Sequence, residues 1–110
     1  MKLAVIGSRK IKDISIDEYI PTGISEIVSG GAQGIDTLAK EYSTRMNLKI
    51  VEFLPQYNLY GKAAPIKRNE KIAEYADEAV VLWDGSSKGT ENTIRLFKKH
   101  GKKVRIYIIK

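Results

Sequence analysis

No stretch of this chain restricts its fold more than Ser29-Gly30-Gly31-Ala32-Gln33-Gly34-Ile35-Asp36, with glycine at positions 30, 31 and 34. Ile24, Ile27 and Val28 before it suit a short buried strand, and Ile35, Leu38, Ala39, Tyr42 and Met46 after it recur with the period of one helix face. The segment therefore reads as strand, glycine turn, helix. Glycine takes positive φ without penalty and lets backbone approach a ligand, while the helix start offers unpaired N–H groups and the positive end of its dipole. An anionic oxygen would suit that turn. Equally, the glycines could serve only to make a tight turn, with Asp36 favoured in the first helical turn by the dipole. The segment alone leaves both readings open.

The rest of the chain supplies the same alternation. Residues 3–6 form a continuous apolar run ending at Gly7-Ser8-Arg9, as a buried parallel strand feeding a loop would. Ser15-Ile16-Asp17-Glu18 fits a capping box for a short helix through Tyr19 and Ile20, stopped by Pro21 and Gly23. A strand over 24–28, a helix over 35–46 capped near Asn47, and a strand over 48–54 follow. Residues 55–65, with Tyr57, Tyr60, Gly61 and two prolines, read as a loop whose aromatics are placed to cover a ligand. The next helix, over 66–76, has an inner stripe of Ile72, Ala73 and Ala76 that also takes in Asn69, a polar residue that needs either a backbone or a ligand partner. A strand over 78–83 empties into Asp84-Gly85-Ser86-Ser87-Lys88-Gly89-Thr90-Glu91, a second Gly/Ser loop opening a helix that ends at Gly101. A last strand spans 104–109. Residues 1–110 thus read as one α/β domain with a mainly parallel five-stranded sheet.

In such a sheet, loops at the carboxyl ends of the strands share one edge, and ligands bind where the strand order reverses. Gly7-Ser8-Arg9, Ser29 to Gly34 and Asp84 to Thr90 meet there. Three Gly/Ser loops from three strands favour a nucleotide-like ligand over turn-making alone. Arg68 and Asn69, near the start of their helix, can face the same edge, the guanidinium toward phosphate and the amide toward a ribose or a loop backbone.

Composition removes several chemistries. The chain has no cysteine and one histidine, so thiol catalysis, cysteine-ligated metals and a histidine metal cluster within one chain are excluded, and no metal site is expected. His100 lies among lysines at a helix end, where a solvated role outweighs a catalytic one. No apolar stretch is long enough to span a bilayer and the N-terminal apolar run is too short for a signal peptide, so the expectation is a cytoplasmic protein with no membrane partner. A net charge of +6 suits either a polyanion or a small phosphorylated ligand. Lys98, Lys99, Lys102, Lys103 and Arg105 fit a nucleic-acid patch or simple complementation of a helix C-terminus. Neither G-x-G-x-x-G nor G-x-x-x-x-G-K-[ST] occurs, which argues against an ATPase.

In order and spacing, residues 29–36, Tyr60-Gly61-Lys62-Ala63-Ala64-Pro65-Ile66-Lys67-Arg68-Asn69 and Trp83-Asp84-Gly85-Ser86-Ser87-Lys88-Gly89-Thr90 resemble the SLOG superfamily, in particular its small YspA-type, YpsA-related domains. The resemblance implies a Rossmann-like three-layer sandwich that binds a nucleotide or a nucleotide derivative, as a sensor would, and it points to no certain cofactor beyond that nucleotide-like ligand. It places Gly30, Gly31 and Gly34 at the phosphate and Gly89-Thr90 facing them. The full set of ligand-contacting candidates is Gly7, Ser8, Arg9, Ser29, Gly30, Gly31, Ala32, Gln33, Gly34, Asp36, Arg68, Asn69, Asp84, Gly85, Ser86, Gly89 and Thr90. Relatives imply two alternatives: single-stranded nucleic-acid binding, as in DprA, with bases stacked on Tyr57 or Tyr60, and nucleoside monophosphate N-glycoside cleavage, as in the LOG phosphoribohydrolases. The LOG motif is P-G-G-x-G-T-x-x-E; here Glu91 follows Gly89-Thr90 directly and Thr93 takes the place of the motif's glutamate, which leaves Glu91 as the catalytic candidate. Self-association into a homo-oligomer stays open.

Overall fold

A computed structural model describes residues 1–109. Five strands, β1 (Lys2–Gly7), β2 (Glu26–Ser29), β3 (Lys49–Glu52), β4 (Glu78–Trp83) and β5 (Lys103–Ile108), form one sheet in the order β3-β2-β1-β4-β5, with every neighbouring pair parallel. From β1 the chain builds outward through β2 to β3, then crosses back to lay β4 on the other side of β1. The strand order therefore reverses between β1 and β4, which stay paired as far as Gly7 and Leu82; the chain beyond β1 leaves toward one face of the sheet and the chain beyond β4 toward the other, and a crevice opens above the strand ends.

Alternation along the central strands divides the core into two layers. Leu3, Val5, Ile27, Val80 and Leu82 point to one face, where they meet Ile16 and the inner stripe Ile35, Ala39 and Tyr42 of α1 (Ile35–Arg45). Ala4, Ile6, Val28, Ala79 and Val81 point to the other, against Ile72 and Ala73 of α3 (Ala64–Tyr75), Ala76 just after it, and Ile94 and Phe97 of α4 (Lys88–Lys99). Both faces are covered, which is why β1 and β4 read as continuous apolar runs rather than alternating ones. The result is the expected three-layer α/β sandwich, with the sheet wholly rather than mainly parallel.

Two local expectations change. Residues 55–65 are not an open loop: a one-turn helix α2 (Tyr57–Tyr60) and a 3-10 turn (Gly61–Ala63) lead directly into α3 (Ala64–Tyr75). Pro65 falls in the first turn of α3, where its missing N–H costs no hydrogen bond. Ahead of β2 the capping box does not form. Ser15 Oγ donates to the Asp17 carboxylate at 3.4 Å, and that carboxylate is already held by both terminal nitrogens of Arg45 at 2.9 and 3.0 Å. Only a 3-10 turn (Asp17–Tyr19) remains. At the end of α1, Asn47 takes the left-handed conformation (φ 54°) that ends a helix, as its position suggested.

α3 and α4 (Lys88–Lys99) lie side by side on one face and carry the walls of the crevice. The far end of α3 is fixed by Lys102, whose ammonium donates to the carbonyls of Ala73, Glu74 and Ala76 at 2.7, 2.8 and 2.7 Å. A cation there satisfies terminal carbonyls and complements the helix dipole. Among the described residues no helix is long and apolar enough to cross a membrane.

Candidate functional site

The crevice between β1 and β4 holds a cavity of about 370 Å³. The loop after β1 contributes Gly7, Ser8, Arg9 and Lys10; the glycine turn contributes Gly30, Ala32 and Asp36; α3 contributes Pro65, Arg68, Asn69 and Ile72; and the start of α4 contributes Ser87, Gly89, Thr90 and Thr93.

In the glycine turn two N–H groups are paired with side chains of the same segment, and each of the three glycines has protein atoms close to where a Cβ would lie. The Gly31 N–H donates to Ser29 Oγ at 3.2 Å, and the Ala32 N–H donates to the Asp36 carboxylate at 3.0 Å. A Cβ on Gly30 would collide with the Arg68 guanidinium, and one on Gly31 with the Leu54 side chain. Gly34 has φ 71°, and a Cβ there would sit 2.5 and 2.6 Å from the carbonyl oxygens of Arg9 and Ser8. Gly34 is thus the point at which the turn locks onto the β1 loop, a close approach open only to glycine.

Asp36 is buried at the cavity wall, and burial pushes its carboxyl above the ordinary value, against the opposing pull of the Ala32 N–H and of the nearby Arg68 and Arg9 cations. Arg68, half-buried on α3, has its pKa lowered by the same loss of water. Its Nη1 donates to the Gly30 carbonyl at 2.8 Å and its Nε to Asn69 Oδ1 at 2.9 Å, while Asn69 Nδ2 donates to Asn92 Oδ1 on α4 at 3.1 Å. Asn69, the polar residue on an apolar stripe, thereby finds side-chain partners.

The loop after β4 is built differently. Asp84 accepts the N–H groups of Ser86 and Ser87, both at 2.9 Å, and these bonds hold its carboxyl well below the ordinary carboxylate range. Ser87 turns its hydroxyl toward the same carboxylate, at 3.0 and 2.9 Å, so it does not cap the helix it precedes. Ser8 joins the two loops by accepting the Asp84 N–H at 3.0 Å. The first N–H groups of α4 are left without a side-chain cap at the cavity wall. Around Gly89 there is open space, with nothing within 4 Å of where a Cβ would lie. Thr90 is buried at 5% exposure, and its hydroxyl has no hydrogen-bond partner among the described residues.

Of the residues singled out in the sequence, Gly7, Ser8, Arg9, Gly30, Ala32, Asp36, Arg68, Asn69, Gly89 and Thr90 come together around the cavity. Ser29, Gly34 and Asp84 stand behind its walls as supports. Gly31, Gln33, Gly85 and Ser86 are exposed outside its lining, and so is Glu91. Lys10, Pro65 and Thr93 also line it and are not among those candidates, while Ser87 belongs to the 84–90 loop expected at this edge. The signal for Thr93 was present, since it follows Gly89 by four and Thr90 by three and so shares their helix face. Comparison of the chain with family models, with curated proteins and with solved structures finds no match.

Proposed function

We propose that this cavity binds a nucleotide or nucleotide derivative, with its phosphate between the start of α4 and the Arg68 guanidinium. The observation that carries the reading is the uncapped first turn of α4, where open space beside Gly89 and the unpartnered Thr90 hydroxyl meet a wall bearing a half-buried arginine. Uncapped helix N–H groups and a guanidinium are complementary to phosphate oxygens. Arg9 and Lys10, both exposed on the cavity lining, add positive charge. Asp36 offers a carboxylate to ribose hydroxyls or a base amine. The volume lies within the range of small-ligand pockets. The likeness of the three loop motifs to the SLOG superfamily supports the same ligand class, and we propose membership of that superfamily on those motifs.

Binding is favoured over N-glycoside cleavage because Glu91 is exposed outside the cavity lining, and the carboxylate on the lining is Asp36. A second reading, single-stranded nucleic-acid binding, draws on Tyr57 and Tyr60, which α2 presents to solvent at 59% and 38% exposure. Bases stack on such rings without sequence preference. A steep loss of affinity with salt would favour it; a flat dependence favours the small ligand.

Thermal-shift measurement against nucleoside mono- and diphosphates, cyclic nucleotides and inorganic phosphate tests the main reading. At least one should raise Tm for the wild type. Gly89→Val should fold, since the position is open, yet lose that shift by filling the phosphate position. A panel that leaves Tm unchanged, or a valine variant that keeps the full shift, refutes the proposal.

A further inference from the structure

We infer that Asn92 on α4 is a positioning residue that sets the plane of the Arg68 guanidinium. The consequence for anion binding rests on the proposed function; the geometry does not.

The hydrogen-bond polarity runs one way. The Arg68 Nε–H can only donate, so the atom it meets 2.9 Å away on Asn69 must be the amide oxygen. That choice leaves the Asn69 Nδ2 group facing Asn92, so the atom 3.1 Å away on Asn92 must in turn be its oxygen. Neither amide can flip without placing two donors or two acceptors against each other. Asn69 is 7% exposed, so a flipped amide would have no water in compensation. The second anchor is the Gly30 carbonyl, 2.8 Å from Nη1, which reaches the guanidinium because position 30 has no Cβ to block it. Anchored at Nε and Nη1, the plane is fixed, and Nη2 is left with no protein partner among the described residues.

Asn92 lies two residues after Thr90, in the helix whose first turn opens on the cavity. One helix therefore supplies the uncapped N–H groups and, through Asn69, the orientation of the arginine. Asn92 is absent from the lining itself and reaches a ligand only through Asn69 and Arg68.

Because Asn92 acts as an acceptor, Asn92→Asp should keep the relay and Asn92→Ala should break it. The direct readout is the Arg68 Nε–H signal in ¹H–¹⁵N spectra, assigned by its disappearance in Arg68→Lys. Slow exchange with water is expected in the wild type and in Asn92→Asp, and fast exchange in Asn92→Ala at a temperature where all are folded. Titration with inorganic phosphate should show roughly a two- to tenfold loss of affinity in Asn92→Ala, the size of one neutral hydrogen bond. Slow Nε–H exchange retained in Asn92→Ala would overturn the inference. If the wild type binds neither phosphate nor nucleotide, the proposed function falls, and the Nε–H exchange by itself decides the role of Asn92.

Discussion

The two glycine-bearing loops at the carboxyl edge of the sheet look alike in sequence and are opposites in structure. In the β2–α1 turn, a Cβ on Gly30 would meet the hydrogen-bonded Arg68 guanidinium and one on Gly34 two backbone carbonyl oxygens, while Gly31, at φ 67°, lies against the end of the Leu54 side chain. Two of its N–H groups are already paired with Ser29 and Asp36. In the β4–α4 loop, nothing lies within 4 Å of a Cβ built on Gly85 or Gly89. The helix that follows begins without a side-chain cap. One set of glycines lets the fold close upon itself; the other leaves room beside a helix start. Glycine density marks both cases equally, and only the neighbours tell them apart.

Substitutions at these glycines should separate the loops in order of size. Gly34→Ala places a side chain at φ 71° against the Ser8 and Arg9 carbonyls, and should cost about 2 to 5 kcal/mol of stability, read from the denaturant midpoint. A stable Gly34→Ala variant would break the comparison. Next comes Arg68→Ala, which removes a charged donor and should lower phosphate-ligand affinity by about 1.5 to 3 kcal/mol in calorimetry. It should also loosen the glycine turn, because the Gly30 carbonyl loses its partner. In the open loop, Gly85→Ala meets no atoms and bears only the strain of φ 88°, about 1 to 2 kcal/mol. Gly89→Ala, also unobstructed but at a helical position, should raise stability by about 0.5 to 1 kcal/mol.

The pH dependence offers a final contrast. Asp84 has a folded pKa below its ordinary 3.8, so its stabilisation is present above that value and is lost as pH falls below it. Asp36 has a folded pKa above 3.8, so whatever stability it contributes is present below that value and is lost as pH rises through the higher folded one. The stability difference between wild type and Asp84→Ala should therefore grow from acid toward neutral pH. For Asp36→Asn, which keeps an acceptor for the Ala32 N–H, the same difference should shift in favour of the variant over that range. Parallel pH profiles for the two would contradict the environments assigned to them.

What was legible in the sequence followed from periodicity and backbone chemistry. Runs such as residues 3–6 and 79–83 suit strands of a parallel sheet covered on both faces, and the stripe Ile35, Leu38, Ala39 and Tyr42 fits one face of a helix. Those signals are local, so the α/β sandwich, the edge where three loops meet and ten of the residues around the cavity could be read in advance. Short segments were less legible: Asp17 was taken by a distant Arg45, and residues 57–63 wound into turns that their glycine and tyrosines did not announce. Tertiary structure alone decided which glycine loop is closed and which open, because that depends on Leu54, Arg68 and the Ser8 and Arg9 carbonyls arriving from other parts of the chain. It also decided the relay from Arg68 to Asn92, whose ends are 24 residues apart on neighbouring helices. Hydrogen-bond polarity and steric contact act over a few ångströms in space, and those distances are set by packing, not by position along the chain.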